Sequence, residues 1–120
     1  MIDEWVKKIK ENTDPGSLGM ILVHNGIVRG TSKDGRPVKG MKLSYDKEAL
    51  ESCVNRLEGI EGIAGIKAWI NHGALNAGDN IMYLLVAGRF RTDVLPVLQE
   101  LLSTIKNKIV TEEEVMLDEK

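Results

Sequence analysis

Ile81-Met82-Tyr83-Leu84-Leu85-Val86-Ala87-Gly88 is a near-continuous apolar run closed by a glycine, and the stretch Arg89 to Lys108 follows it directly. A run this short and this apolar is expected to be a strand covered on both faces. Gly88 breaks the run, and Thr92-Asp93 offers side-chain oxygens to the free N–H groups of a starting helix. Pro96 falls in the first turn, where its missing N–H costs little. Beyond it Val94, Leu95, Leu98, Leu101, Leu102 and Ile105 recur at helical spacing as one apolar stripe, with Lys106 beside that stripe rather than opposite it. The stretch reads as a packed helix that delivers an amine to the edge of a core.

Working outward, Ile2, Trp5, Val6 and Ile9 are spaced for a short amphipathic helix, ended by the turn residues Asp14-Pro15-Gly16-Ser17. Met20 to Val28 is rich in β-formers and predicts a strand, and Gly26 within it suggests a bulge or a close backbone approach. Gly30 to Pro37 is expected to be a polar, mobile loop, and Val38 to Tyr45 alternates as a second strand with one slip at Gly40. Asp46 is placed to cap a helix over about 47–58, with Leu50, Cys53, Val54 and Leu57 as its buried line and Gly59 as its stop. Ile63 to Asn71 predicts a third strand with Ile66, Ala68 and Ile70 on one face and Lys67, Trp69 and Asn71 on the other. Gly73 to Asp79 is most simply a hairpin into the Ile81 strand, and the chain after Lys108 reads as an acidic tail. The order is helix, strand, strand, helix, strand, strand, helix. It implies an α+β, two-layer domain with four strands in a mostly antiparallel sheet.

A chain of 120 residues is one domain. No apolar run approaches the roughly 20 residues a membrane span needs. The N-terminus lacks the order of a secretory signal, and the single Cys53 forms no internal disulfide, so a cytoplasmic location is expected. The net charge of −2 hides an uneven distribution. Arg29, Lys33, Arg36, Lys39 and Lys42 face Asp34 alone, whereas Glu112, Glu113, Glu114, Asp118 and Glu119 face only Lys120. This pattern points to an anionic small molecule or an acidic partner. The basic stretch is too short, and the aromatics too few, for a nucleic-acid surface.

No paired carboxylates, Cys/His or Ser/His/Asp set and no phosphate-binding glycine loop is present. His24 reads as a polar residue on a sheet face and His72 as a turn residue beside Gly73. Neither has a second ligand at metal spacing, and neither a metal nor another cofactor is expected. Taken singly, Lys106 is a cation complementing a helix C-terminus, worth about 0.3–1 kcal/mol. Arg29, Arg36 and Lys39 taken singly are solvated loop residues. Taken together, these strand-end and helix-end cations can converge as an anion pocket, because guanidinium groups hold phosphate through paired hydrogen bonds.

Val28-Arg29 after a glycine-containing strand, then Gly35-Arg36-Pro37-Val38-Lys39-Gly40-Met41-Lys42-Leu43, resembles the large, catalytic subunit of molybdopterin synthase, the MoaE family. The Gly73-Ala74-Leu75-Asn76-Ala77-Gly78-Asp79 connection, the apolar strand and the last helix ending in Ile105-Lys106 continue the resemblance in order, over roughly Gly19 to Glu114. It implies an α/β-hammerhead domain that forms a homodimer. It also implies a small ubiquitin-like sulfur-carrier subunit whose C-terminal Gly-Gly thiocarboxylate enters the pocket, and a cyclic pyranopterin phosphate that receives two sulfurs to become molybdopterin.

By position, the resemblance makes Lys106 the catalytic lysine and Arg29 and Arg91 substrate-binding, with Arg36, Lys39 and Lys108 as further substrate-side candidates. The chain departs from the family pattern at Phe90, where a His is usual, and at Glu113, where a second lysine is usual. Ile70-Asn71-His72-Gly73 likewise replaces His-Arg-x-Gly. Lys108 is the candidate substitute for the missing lysine. The alternative reading is a non-catalytic relative that keeps the fold and the dimer as a binding or regulatory module.

Overall fold

The computed structural model of the chain describes residues 1–117; Asp118, Glu119 and Lys120 of the expected acidic tail lie outside the described residues. The apolar run becomes β5 (Asn80–Gly88), the middle strand of an antiparallel sheet ordered β1-β5-β3, with β1 spanning Met20–Ile27 and β3 Ile63–Ile70. Alternate side chains of β5 serve two separate apolar clusters. Met82, Leu84 and Val86 pack into the main core beneath α2 (Lys47–Glu58) and α3 (Arg91–Thr104). Leu85 and Ala87 lie on the other face against Ile9, Trp5 and Val6 of α1 (Ile2–Asn12). Leu84, Leu85, Val86 and Ala87 are each 0% exposed, so the run is apolar at every position because both faces are covered.

The helices follow their local signals with one exception. The Asp46 carboxylate accepts a hydrogen bond from the Ala49 N–H at 3.1 Å, and Leu50, Cys53 and Leu57 form the buried line of α2. The expected cap of α3 by Thr92-Asp93 does not form. Phe90 stands at the N-cap without a side-chain bond, and the Asp93 carboxylate is drawn instead to the Arg89 guanidinium at 3.0 Å. An ion-paired carboxylate holds its oxygens away from the helix N–H groups, and the Asp93 and Val94 N–H groups bond back to the Phe90 carbonyl.

A second antiparallel sheet, in the order β4 (Gly73–Asn76), β2 (Val38–Tyr45) and β6 (Val110–Met116), brings the strand total among the described residues to six rather than the four expected. Its centre is β2. The presumed hairpin connection contains β4, which pairs with β2 rather than with β5. Much of the expected acidic tail is β6, paired with β2 from Val38↔Met116 to Tyr45↔Val110. Three consecutive glutamates hide a strand from propensity reasoning, and here pairing with β2 overrides that weak preference. The slip at Gly40 has a steric cause: a side chain there would run into the backbone carbonyl of Leu75, and the β2–β6 register shifts between Val38 and Gly40. Gly26 marks a similar shift in β1. The two sheets extend the molecule to 55 × 24 × 23 Å. No described helix is long and apolar enough to cross a membrane.

Leu84→Ala is expected to lower unfolding free energy by about 2–5 kcal/mol, because the cavity opens where neighbours on both sides are fixed. Leu95→Ala, at a helical position 41% exposed, is expected to cost well under half of that; chemical denaturation of both variants checks the contrast.

Candidate functional site

The end of α3 widens into a π-helical turn over Ile105–Ile109, in which the Val110 N–H bonds to the Ile105 carbonyl. Ile105 is 0% and Ile109 4% exposed, so both isoleucines are anchored in the core. The residues between them, Lys106, Asn107 and Lys108, are turned outward. Turns of this kind are rare and concentrate at functional sites.

Lys106 and Asn107 open onto a cleft of about 970 Å³ at the seam between the two sheets. Arg29 reaches it from just beyond β1, and Lys33, Asp34 and Arg36 reach it from the following loop. Ile27, Val28, Met41 and Ile81 are its apolar lining, and Glu112 and Glu114 of β6 line it as well. Among the substrate-side candidates, Arg29 and Arg36 therefore share one cleft with Lys106. Lys39 and Lys108 are exposed outside its lining. Arg91 opens α3, fifteen residues before Lys106, which at helical rise is roughly 22 Å away.

The loop expected to be mobile is tied by its own hydrogen bonds. The Ser32 N–H bonds the Arg36 carbonyl at 2.9 Å, the Gly35 N–H bonds the Ser32 carbonyl at 3.0 Å, and Thr31 bridges to Pro37. The buried Ser32 hydroxyl donates to the Asp34 carboxylate, which also accepts from the Arg36 Nε at 2.9 Å. The Ser32 hydroxyl, and after it the Arg36 N–H and guanidinium, hold Asp34 below its ordinary pKa. Arg29 Nε donates to the Thr31 carbonyl at 2.7 Å, which fixes the base of that side chain while its terminal nitrogens stay available.

The acidic part of the cleft lining was missed by sequence reasoning. Glu113, at the position usual for a second lysine, lies across from Lys42 on the sheet face away from the cleft. Its neighbours Glu112 and Glu114 are the cleft residues; reading 110–116 as a strand would have put those two on one face. His24, the polar residue on a sheet face that the sequence predicts, lies half-buried on β1 outside the cleft lining. Burial, and then the Lys106 ammonium, hold its pKa below the ordinary imidazole value of 6.5, so it is neutral at pH 7.

This is an α+β domain with a cation-bearing cleft at a sheet seam. The family model described as MoaE protein matches residues 2–108, and the chain belongs to the MoaE family. The fold is similar to molybdopterin synthase from Staphylococcus aureus, with a TM-score of 0.77 and 16% identity over 95% of this chain and 85% of that one. It is similar to the molybdopterin biosynthesis MoaE protein from Burkholderia ambifaria MC40-6, with a TM-score of 0.75 and 16% identity over 100% and 85% of the two chains. A complex of subunits 1 and 2 of the molybdopterin-converting factor from Helicobacter pylori 26695 matches at a TM-score of 0.68 and 16% identity over 99% and 85%. No curated protein sequence matches the chain significantly. At 16% identity these likenesses speak for the fold.

Because the ammonium lowers the His24 pKa, Lys106→Ala is expected to move it upward, toward 6.5, in an NMR titration of the imidazole C–H signals. The unfolded chain binds the His24 proton more readily than the native one. This residue's contribution to stability is therefore present above about pH 6.5 and falls away as pH drops toward the native pKa.

Proposed function

We propose that this chain acts in molybdenum cofactor biosynthesis as a large subunit of the molybdopterin synthase type, transferring sulfur to a phosphorylated pterin. The observation that carries the reading is that Arg29 and Arg36, from the connection between β1 and β2, share one cleft with Lys106 from the end of α3. In this reading the arginines hold the substrate phosphate through paired hydrogen bonds. The Lys106 ammonium orients the thiocarboxylate of a small ubiquitin-like subunit ending in Gly-Gly and offsets charge developing on its carbonyl oxygen. The family membership and the fold it shares with a two-subunit molybdopterin-converting factor support a partner of that kind.

A homodimer completes the proposal, with the exposed part of the β1-β5-β3 sheet as its interface. Helix α1 covers only one end of that face. Beyond it, Val23 is 42% exposed, beside the stacked rings of Trp69 and Tyr83, whose centroids are 5.1 Å apart. Such an aromatic and aliphatic patch is characteristic of interface cores. Arg91, remote from Lys106 within one chain, joins the site only if a second protomer brings it there.

Reconstitution with a thiocarboxylated small subunit and the cyclic pterin phosphate is expected to give product. Lys106→Ala is expected to lose most turnover, and Arg29→Ala to raise KM about tenfold or more, as loss of a charge-assisted contact should. An unmodified protein that stays folded yet yields no product under these conditions would reject the enzyme and leave the non-catalytic module, a reading that Phe90 and Glu113 favour. Sedimentation is expected to show a dimer for the natural chain and a monomer for Val23→Asp; a monomeric natural chain would overturn the assembly.

A further inference from the structure

The cleft carries charges of both signs. Arg29, Lys33, Arg36 and Lys106 line it, Asp34 is ion-paired to Arg36, and Glu112 and Glu114 reach it from β6. Register places these two glutamates across from Leu43 and Met41 of β2, so they stand two residues apart on a single strand face. Their separation along the strand is roughly 7 Å, the width of a small heterocycle. Among the described residues neither carboxylate has a cation within 4.0 Å, although four cations line the same cleft. Two unpaired carboxylates disfavour a ligand that is anionic throughout. They favour one that is anionic at one end and rich in N–H donors at the other.

We propose that Glu112 and Glu114 read the donor edge of the pterin ring while Arg29, Arg36 and Lys106 hold its phosphate. The inference rests on the pterin-phosphate reading above and adds to it the residues that recognise the ring. The 2-amino-4-oxo half of a pterin presents an exocyclic N–H and a ring N–H side by side. A carboxylate accepts such a pair through two parallel bonds, as it does from guanidinium. The two ends of the ligand are thereby distinguished and its orientation in the cleft is set. An analogue with oxygen in place of the 2-amino group would turn a carbonyl toward the carboxylates, and a site built around donors rejects a ligand lacking them.

The test is calorimetry on the natural chain and on the double variant Glu112→Gln/Glu114→Gln. The probes are a pterin with a phosphorylated side chain, the lumazine counterpart with the 2-amino group replaced by oxygen, and inorganic phosphate. The natural chain is expected to prefer the pterin by about tenfold or more. The double variant is expected to lose that preference while binding inorganic phosphate at least as well, with an unchanged thermal midpoint because both positions are exposed. Equal affinity of the natural chain for pterin and lumazine would overturn the inference and leave the proposed function standing. So would a double variant that binds both more tightly at an unchanged ratio, since the glutamates would then only repel anions. Failure of the natural chain to bind any of the three would overturn the proposed function and the inference together.

Discussion

Burial of β5 on both faces is the constraint on which the rest of the molecule depends. Leu84 and Val86 look one way and Leu85 and Ala87 the other, so the strand must sit between layers on both sides. That requirement recruits α1 to one face and α2 with α3 to the other. It also makes β1 and β3 flanking partners, because a central strand must satisfy its backbone on both edges. Helix α3 is held against the same core by Val94, Val97 and Leu101, each nearly or fully excluded from solvent. Its end is thereby delivered to the seam where the second sheet begins.

The site is a product of that delivery. Ile105 and Ile109 are both pulled into the core, and the backbone between them widens into a π-helical turn that leaves Lys106 and Asn107 facing the cleft. The chain then enters β6 without a long connection, which sets Glu112 and Glu114 opposite the same cleft. One segment of chain therefore supplies both the lysine and the two β6 carboxylates of the cleft. The guanidinium groups come from the loop after β1, whose internal hydrogen bonds hold Arg29 and Arg36 near the seam. The pKa of His24 is lowered first by its burial on β1 and then by the nearby Lys106 ammonium.

Most of the elements were legible because their signals are local. The Asp46 cap, the buried line of α2, the amphipathic α1 and the apolar run of β5 all appear where spacing and residue type place them. The misses have non-local causes. Thr92-Asp93 is a sound cap sequence, but Arg89 claims the carboxylate. In Val110–Met116 three consecutive glutamates mask the β-branched Val110, Thr111 and Val115, and the segment becomes a strand because β2 offers a free edge. The four residues Gly73–Asn76 are too short to announce a strand, and they pair with β2 on its other edge.

For the cleft the division is similar. The residues themselves determined that this is an α+β fold with a buried central strand, that its cations cluster before β2 and at the end of α3, and that its order of motifs is that of the MoaE family. Periodicity and capping are properties of neighbouring residues, and they survive in the bare sequence. Only the tertiary structure decided that Arg29, Arg36 and Lys106 meet while Arg91 stands at the far end of α3, and that Glu112 and Glu114 rather than Glu113 face them. Those outcomes depend on strand register and on where a second sheet closes against the first. A shift of one residue in that pairing would exchange the glutamates that face the cleft for the one that faces away.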